Sequence, residues 1–485
     1  MSLPRSTLCL SLVGLILLIG ERGLSADDAP SRAHAIQALH RAVDFFRSEC
    51  SAGGGYVYRW SADLTRREGE GRVDKSTAWL QPPGTPSVGA AYLHAYQLTR
   101  DAQLLEAALE TALALVNGQL ESGGWDNSIT FDPESRKRYA YRVDQHDSLR
   151  RLRNTTTFDD DKSQSAIRFL VSIDEALEFK HPAIHESAEF ALNAVLRAQY
   201  PNGAWPQRYS EFPDPDQFPV KPAAYPDDWS RTWPNEDYRG FYTLNDNTIR
   251  DLIITLLHAH DVYQDQRYRT AAMKGGDFFL LAQMPDPQPG WAQQYDRNMH
   301  PAWARKFEPA SITGGESQGV MRTLLLLYRR TGEDKYLTPL PKAIAYYRSS
   351  LRDDGRLARF YELHTNRPLY FTRDYKLTHD DGDMPTHYGF IVGSQLDTIE
   401  AEYARLVEEG PDQEHDRNGD NLPRMTADLR QRAASVINAQ DDRGAWVEPG
   451  RLRYHGDDDP TRSVIESRTF IRNIRTLAEF IAASD

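Results

Sequence analysis

The sequence predicts an all-α chain whose helix pairs close into a toroid, with long loops gathered at one mouth. The first observation is helical spacing of apolar residues, as at Ile36, Leu39, Val43 and Phe46 and again at Ile249, Leu252, Leu256 and His260. The second is a recurring mark in which an amphipathic stretch ends at a Gly turn followed by an aromatic residue. It occurs at Gly54-Gly55-Tyr56, Gly123-Gly124-Trp125, Gly203-Ala204-Trp205, Pro289-Gly290-Trp291 and Gly444-Ala445-Trp446, with a weaker instance at Asp354-Gly355-Arg356. Roughly 65 to 90 residues separate successive marks, the scale of a repeated supersecondary unit. The third is a pair of helices at the two ends, 31–49 and 463–481, which close the ring if they pack on each other. Unequal repeats and long loops favour this closed form over an open solenoid.

Between the marks the pattern predicts two helices per unit: 87–99 with 102–118, 161–178 with 183–199, 246–262 with 266–283, and 315–331 with 335–352. Strand-like alternation is scarce. Two loops are long, 208–240 and 354–392; the first holds Pro213, Pro215, Pro219, Pro222, Pro226 and Pro234 with Trp229 and Trp233.

The composition is globular, and Asp plus Glu (70) exceed Lys plus Arg (57), a formal charge of −13. With no basic block, nucleic acid is not an expected partner. The first residues read as an export signal. Arg5 supplies a basic start, Leu8 to Gly20 is apolar, and Leu24-Ser25-Ala26 offers a small residue before a cut. A membrane anchor needs about 20 apolar residues, and this run is shorter. The expected organisation is a signal at 1–26 and one toroidal domain at 27–485, secreted or periplasmic, with no stable membrane insertion after cleavage. Cys9 lies in the signal, so Cys50 has no partner for a disulfide.

Four constellations carry candidate chemistry. Thr155-Thr156-Thr157-Phe158-Asp159-Asp160-Asp161 opens a helix, and Thr243-Leu244-Asn245-Asp246-Asn247-Thr248 opens the next unit's first helix. Each serves as a helix cap, yet three consecutive acids exceed what capping needs, and a hard cation with oxygen ligands relieves their repulsion. In a ring, equivalent helix starts face one mouth, so the two clusters can share one Ca²⁺. The third runs from Trp291 and Tyr295, which stack on a sugar or fill the core, to Arg305, which forks onto a carboxylate or lies on the surface. The fourth groups Arg359, Arg367 and Arg373 into a positive patch. Asp416-Arg417-Asn418-Gly419-Asp420 lacks the Gly and Glu of a calcium loop and reads as a solvated turn. The sequence holds no Gly-rich phosphate loop, zinc spacing or Gly-x-Ser-x-Gly elbow.

These residues resemble the family 10 polysaccharide lyases, the pectate (pectic acid) lyases. The similar segments are Gly53-Gly54-Gly55-Tyr56, Trp79 to Pro86, the Thr-Phe-Asp-Asp-Asp stretch and Asn202-Gly203-Ala204-Trp205-Pro206-Gln207. They continue through Thr243 to Asp246, Trp291 to Tyr295, Ala302 to Ser317, Arg359-Phe360-Tyr361-Glu362 and Asn366-Arg367-Pro368, so the resemblance reaches about residue 375. It implies a helical toroid described as three α/α pairs, where the marks here count up to six. It also implies Ca²⁺-dependent β-elimination on polygalacturonate. Carried over by motif, Asp159, Asp161 and Asp246 flank the calcium, and Asp161 also the substrate carboxylate. Arg305 and Arg359 bind carboxylates, and Arg373 is the proton-abstracting base.

The chain departs from the family pattern in three places. Loop 208–240 is long. Thr372-Arg373-Asp374-Tyr375 lacks the Gly after Arg373. Met384-Pro385-Thr386-His387-Tyr388-Gly389 stands where paired arginines follow. Two other readings remain: a toroidal glycoside hydrolase using a carboxylate pair such as Asp161 and Asp246, and a non-catalytic uronate-binding protein.

Overall fold

The computed structural model describes residues 30–411 and 422–484. The signal, its Cys9 and the Asp416–Asp420 turn lie outside the described residues. Twelve helices of ten residues or more are present among them. They are α1 (Arg32–Phe45), α2 (Thr85–Thr99), α3 (Ala102–Asn117), α4 (Lys162–Ala176), α5 (Pro182–Arg197) and α6 (Thr248–Tyr263). The rest are α7 (Gln266–Ala282), α8 (Glu316–Thr331), α9 (Leu340–Ser349), α10 (Leu396–Glu409), α11 (Ala427–Asn438) and α12 (Ser467–Ala482).

Inner helices α12, α2, α4, α6, α8 and α10 pack side by side in that order, and α1 lies against α12. The chain is thus an all-α toroid of six units, the sixth made from its two ends. Among the described residues the α10–α12 junction is the loosest. The α12 pattern explains the closure. Phe470, Ile474, Leu477 and Ile481 recur at helical spacing and are all buried, and the Phe470 ring stacks on Phe46 at 3.8 Å between centroids.

The recurring mark has a physical cause that reaches beyond the Gly and the aromatic residue. Each indole N–H donates to a carbonyl near the end of the preceding outer helix: Trp125 to Leu115 (2.8 Å), Trp205 to Val195 (2.9 Å), Trp291 to Phe279 (2.8 Å) and Trp446 to Val436 (2.9 Å). Each indole thereby gives a last-turn carbonyl a donor that the helix itself does not supply. Three of the units also read Gln-x₃-Gly-x-Trp. The Gln amide donates both to the turn Gly carbonyl and to the next outer helix: Gln119 to Gly123 and Ser187, Gln199 to Gly203 and Ala271, Gln440 to Gly444 and Ala38. At Gly203 φ is +95° and a Cβ would stand 2.0 Å from the Lys274 carbonyl oxygen; only glycine allows both the turn and this approach. Because Gln440 bonds α1, it clamps the seam between the chain ends. Gln440→Ala removes both bonds across this seam and is expected to lower stability by about 1–3 kcal/mol, read by denaturant unfolding.

Observed helix limits follow the predicted ones closely, with three differences. Residues 463–466 form a strand, because Ser463–Glu466 pairs antiparallel with Arg59–Ser61 and its Val-Ile centre suits that pairing. The chain at 334–336 is a separate 3₁₀ turn before α9. Helix α10, absent from the predicted pairs, fills the 396–409 stretch.

Two-residue ladders sit at the mouth, immediately before inner helices. Thr156-Thr157 pairs with Arg208-Tyr209, Tyr242-Thr243 with Gln294-Tyr295, and Ile312-Thr313 with Phe360-Tyr361. Each couples the entry to one inner helix to the segment after the next aromatic mark. These ladders bring residues more than forty positions apart to one place.

Candidate active site

The entries to α4 and α6 have the same unusual backbone. Asp160 and Asp161 take φ +52° and +60°, and Asp246 and Asn247 take +50° and +60°. Two successive left-handed residues are costly for non-glycine side chains, although Asp and Asn tolerate them best. Their recurrence in two units sets the register Asp159/Asn245, Asp160/Asp246, Asp161/Asn247. Supporting glutamines occupy equivalent places, since the Gln207 amide donates to Asp159 Oδ1 (2.9 Å) and the Gln293 amide to Asn245 Oδ1 (2.6 Å).

This register decides which acids meet. Carboxylate oxygens of Asp159, Asp160 and Asp246 all lie within 4.8 Å of one another. Asp161, expected among the cation ligands and at the substrate, turns away: both its oxygens accept from Arg168 Nη2 (2.8 and 2.5 Å). Asp160 takes its place. The hydrolase pair Asp161/Asp246 loses its first member for the same reason.

Three carboxylates here face two cations: Lys162 Nζ stands 3.1 Å from Asp160 and 3.6 Å from Asp159, and Arg208 Nη2 3.0 Å from Asp159. One negative charge is left over. The carboxyl of Asp246 shows it: burial first, then Asp160, Asp159 and Glu316, push it up to about 8. The Oε1 atoms of Gln207 and Gln293 are buried and take no hydrogen bond among the described residues. Hard oxygen donors, clustered like charges and orphaned amide oxygens fit a divalent cation of the calcium type, which would reverse the local charge to +1.

The raised Asp246 carboxyl has a pH signature. Folded, cation-free protein keeps a proton that the unfolded chain releases near 3.8. This contribution to stability is complete below that pH and is lost as pH rises through about 8. Thermal unfolding in chelator is therefore expected to show falling stability from about pH 4 to about pH 8, with excess divalent cation restoring it at the alkaline end. Asp246→Asn is expected to remove both the fall and the restoration.

Beside the acids stand two arginines, each fixed by a buried glutamate. Arg305 donates from Nε (2.7 Å) and Nη2 (2.5 Å) to Glu308, and its Nη1 has no hydrogen-bond partner among the described residues. Burial opposes its charge, but Glu308 outweighs that and holds the guanidinium above its ordinary value. Arg359 donates from Nε to the Gly389 carbonyl (2.6 Å) and from Nη1 to Glu316 (2.7 Å). The fields of both reach Asp246. Tyr388 links the pair. Its hydroxyl donates to Glu308 (3.0 Å) and accepts from the Gln293 amide (3.0 Å), while both guanidiniums lie over its ring at 5.6 and 4.8 Å. Burial and Glu308 push its phenol well above the ordinary range, so Tyr388 is a neutral donor. A cavity of about 480 Å³ joins Asp246, Glu316 and Arg359 to Arg250 and Arg322.

Three further expectations are corrected. Trp291 and Tyr295 are fully buried, with the indole capping α7 and the phenol bonded to Ala282; neither offers a face to a sugar. Arg373 is not brought to the cluster. Its side chain is 73% exposed and pairs with Asp383 at 3.3 Å.

The family model described as pectic acid lyase matches residues 119–354. That span holds both acid entries and Arg305 and stops short of Arg359 and Arg373. No curated protein matches the chain. Among solved structures it is similar to a family 10 polysaccharide lyase from Cellvibrio cellulosa, with TM-score 0.45, 20% identity, and 66% of this chain and 96% of that one covered. A mutant family 10 lyase from the same organism, in complex with trigalacturonic acid, gives TM-score 0.44 and 18% identity over 67% and 98%. A D-mannose isomerase gives 0.43 and 14% over 94% and 99%.

Proposed function

We propose that this chain, which over residues 119–354 belongs to the pectic acid lyase family and is a polysaccharide lyase, cleaves polygalacturonate by calcium-dependent β-elimination after export from the cell. One observation carries the reading: a three-carboxylate cation site adjoins two arginines, each locked by a buried glutamate. Among the described residues no helix is long and apolar enough to cross a membrane.

Asp159, Asp160 and Asp246 would hold the Ca²⁺, which when bound neutralises the uronate carboxylate and so makes the C5 proton more acidic. Arg359, with two of its nitrogens already fixed, receives a substrate carboxylate without having to be ordered first. The base is the harder assignment, because a guanidinium is normally protonated. The Arg305–Glu308 pair supplies a route. Glu308 holds Nε and Nη2 and leaves Nη1 open; Nη1 first gives a proton to water, which frees its lone pair, and then takes the C5 proton. The C5–H electron pair becomes the C4–C5 double bond, the C4–O bond breaks, and the departing oxygen takes a proton from water. Arg305 ends charged again, Glu308 stays ionised, and the proton first released to water balances the one the departing oxygen draws from it. The role implied for Arg373 by family resemblance thus passes to Arg305, with Tyr388 holding Glu308 in place.

Purified protein with polygalacturonate is expected to raise ultraviolet absorbance from the unsaturated product, with added calcium and not with chelator. New saturated reducing ends without that rise would overturn the reading.

A further inference from the structure

The 208–240 insertion is bonded down along the segment that carries Arg305. Trp229 Nε1 donates to the Ala310 carbonyl (2.7 Å), Trp233 Nε1 to the Ala304 carbonyl (2.8 Å), and Arg231 Nη2 to Glu362 (2.5 Å). On its far side the insertion faces the hairpin of Pro368–Phe371 and Leu377–Thr378. Between them lies a groove of about 740 Å³ whose lining includes Arg231, Trp233, Lys306, Asp374, Tyr375 and Lys376.

The groove is basic on an acidic chain. The chain carries −13 overall, yet Asp374 is the one carboxylate among the lining residues. Lys306 and Lys376 are both exposed, and neither ammonium has an ion pair among the described residues. Lys306 Nζ rests 3.5 Å from the centre of the Tyr375 ring. Trp233 is 37% exposed, although its N–H is already satisfied, which leaves a pinned apolar ring in the groove wall. Unpaired ammoniums beside an accessible indole suit a ligand with a carboxylate and a flat sugar face. A neutral sugar would use the ring and leave the charges idle.

Position ties the groove to the catalytic cleft. Lys306 directly follows Arg305, one Cα step of about 3.8 Å. An aromatic bridge also runs from Tyr388 to Phe307 (4.9 Å between centroids) and from Phe307 to Tyr375 (5.9 Å).

We infer that the groove between the 208–240 insertion and the 368–378 hairpin is a second uronate-binding site, extending the cleft to a carboxylate-bearing sugar further along the same polymer. The inference depends on the lyase reading only for which uronate it takes.

The test separates the two. Full-length protein in chelator, where no turnover occurs, is titrated calorimetrically with hexagalacturonate and with a neutral galactan hexamer. The Lys306→Ala/Lys376→Ala double variant and Trp233→Ala are titrated alongside. The expected result is acidic-oligomer binding that the lysine variant weakens roughly five- to tenfold, more at low salt, with little binding of the neutral hexamer. In turnover with calcium, the ratio of KM for hexamer to KM for trimer is expected to rise by a similar factor. Binding as expected without any unsaturated product would sink the lyase reading and leave this site standing. Equal binding of acidic and neutral hexamers would overturn the site. So would unchanged calorimetric affinity in the lysine variant, whether or not the protein turns over. The lysine variant removes only exposed side chains, so it stays informative if Trp233→Ala loosens the insertion.

Discussion

Asp160→Asn is expected to lower calcium-dependent turnover by about 10²–10³-fold, whereas Asp161→Asn is expected to keep the calcium response. The two aspartates are adjacent, and both are acids at the same helix entry. What separates them is where the left-handed backbone sends each carboxylate. Asp160 meets Asp159 and Asp246 within 4.8 Å, and Asp161 closes on Arg168. Losing Asp160 removes one of three charges that gather the cation. Losing Asp161 breaks a half-buried ion pair, with an expected cost of about 1–3 kcal/mol in stability. Turnover against calcium concentration for each variant, with thermal unfolding beside it, checks the pair. If Asp161→Asn raised the calcium requirement more than Asp160→Asn, the assignment of ligands would be wrong.

The second large effect concerns the arginines. Arg305→Ala is expected to reduce kcat by about 10²–10⁴-fold with a smaller change in KM, the range for a lost proton-transfer group. Arg305→Lys is expected to recover little, because an ammonium cannot make the two-point contact to Glu308 that leaves Nη1 free. Glu308→Gln is expected to act in the same direction, since the amide cannot accept from both Nε and Nη2 and so loses the two-point contact that presents Nη1. Arg373→Ala is expected to change kcat by less than about threefold, in line with a solvent-exposed pair. Single-turnover kinetics on a defined oligogalacturonide separates chemistry from binding. A kcat collapse in Arg373→Ala with Arg305→Ala intact would restore the base to the hairpin.

Much of the fold was legible in the sequence because its signals are local. A Gly that must take positive φ, a Trp ten to twelve residues after the carbonyl it caps and an apolar stripe along a helix are all written within one unit, so the marks located five of the six turns directly. The Gln of Gln-x₃-Gly-x-Trp was equally visible, but its meaning was not, since its second partner lies on the next outer helix. Helix α10 escaped because its stripe is short: only Leu396, Ile399 and Leu406 are buried.

The candidate site was legible in part. The two acid entries and their shared place in the repeat could be read as they stand. Alignment of Thr-Phe-Asp-Asp-Asp-Lys on Thr-Leu-Asn-Asp-Asn-Thr already sets Asp160 against Asp246, and that register is the signal that would have chosen Asp160 over Asp161. Glu308, Glu316 and Tyr388 carried no comparable signal. Each acts through a partner on another segment: Glu308 joins Arg305 to Tyr388, eighty residues on, and Glu316 fixes Arg359.

By itself, then, the sequence determined the helical units, their turns and the two carboxylate-rich helix entries, because backbone conformation and helix capping depend on neighbours a few residues away. Only the tertiary structure decided which aspartates share a cation, which arginines stand beside them and which aromatic residues are core. Those choices depend on ladders and ring closure that join distant segments, and on a backbone twist that turns adjacent side chains to opposite partners.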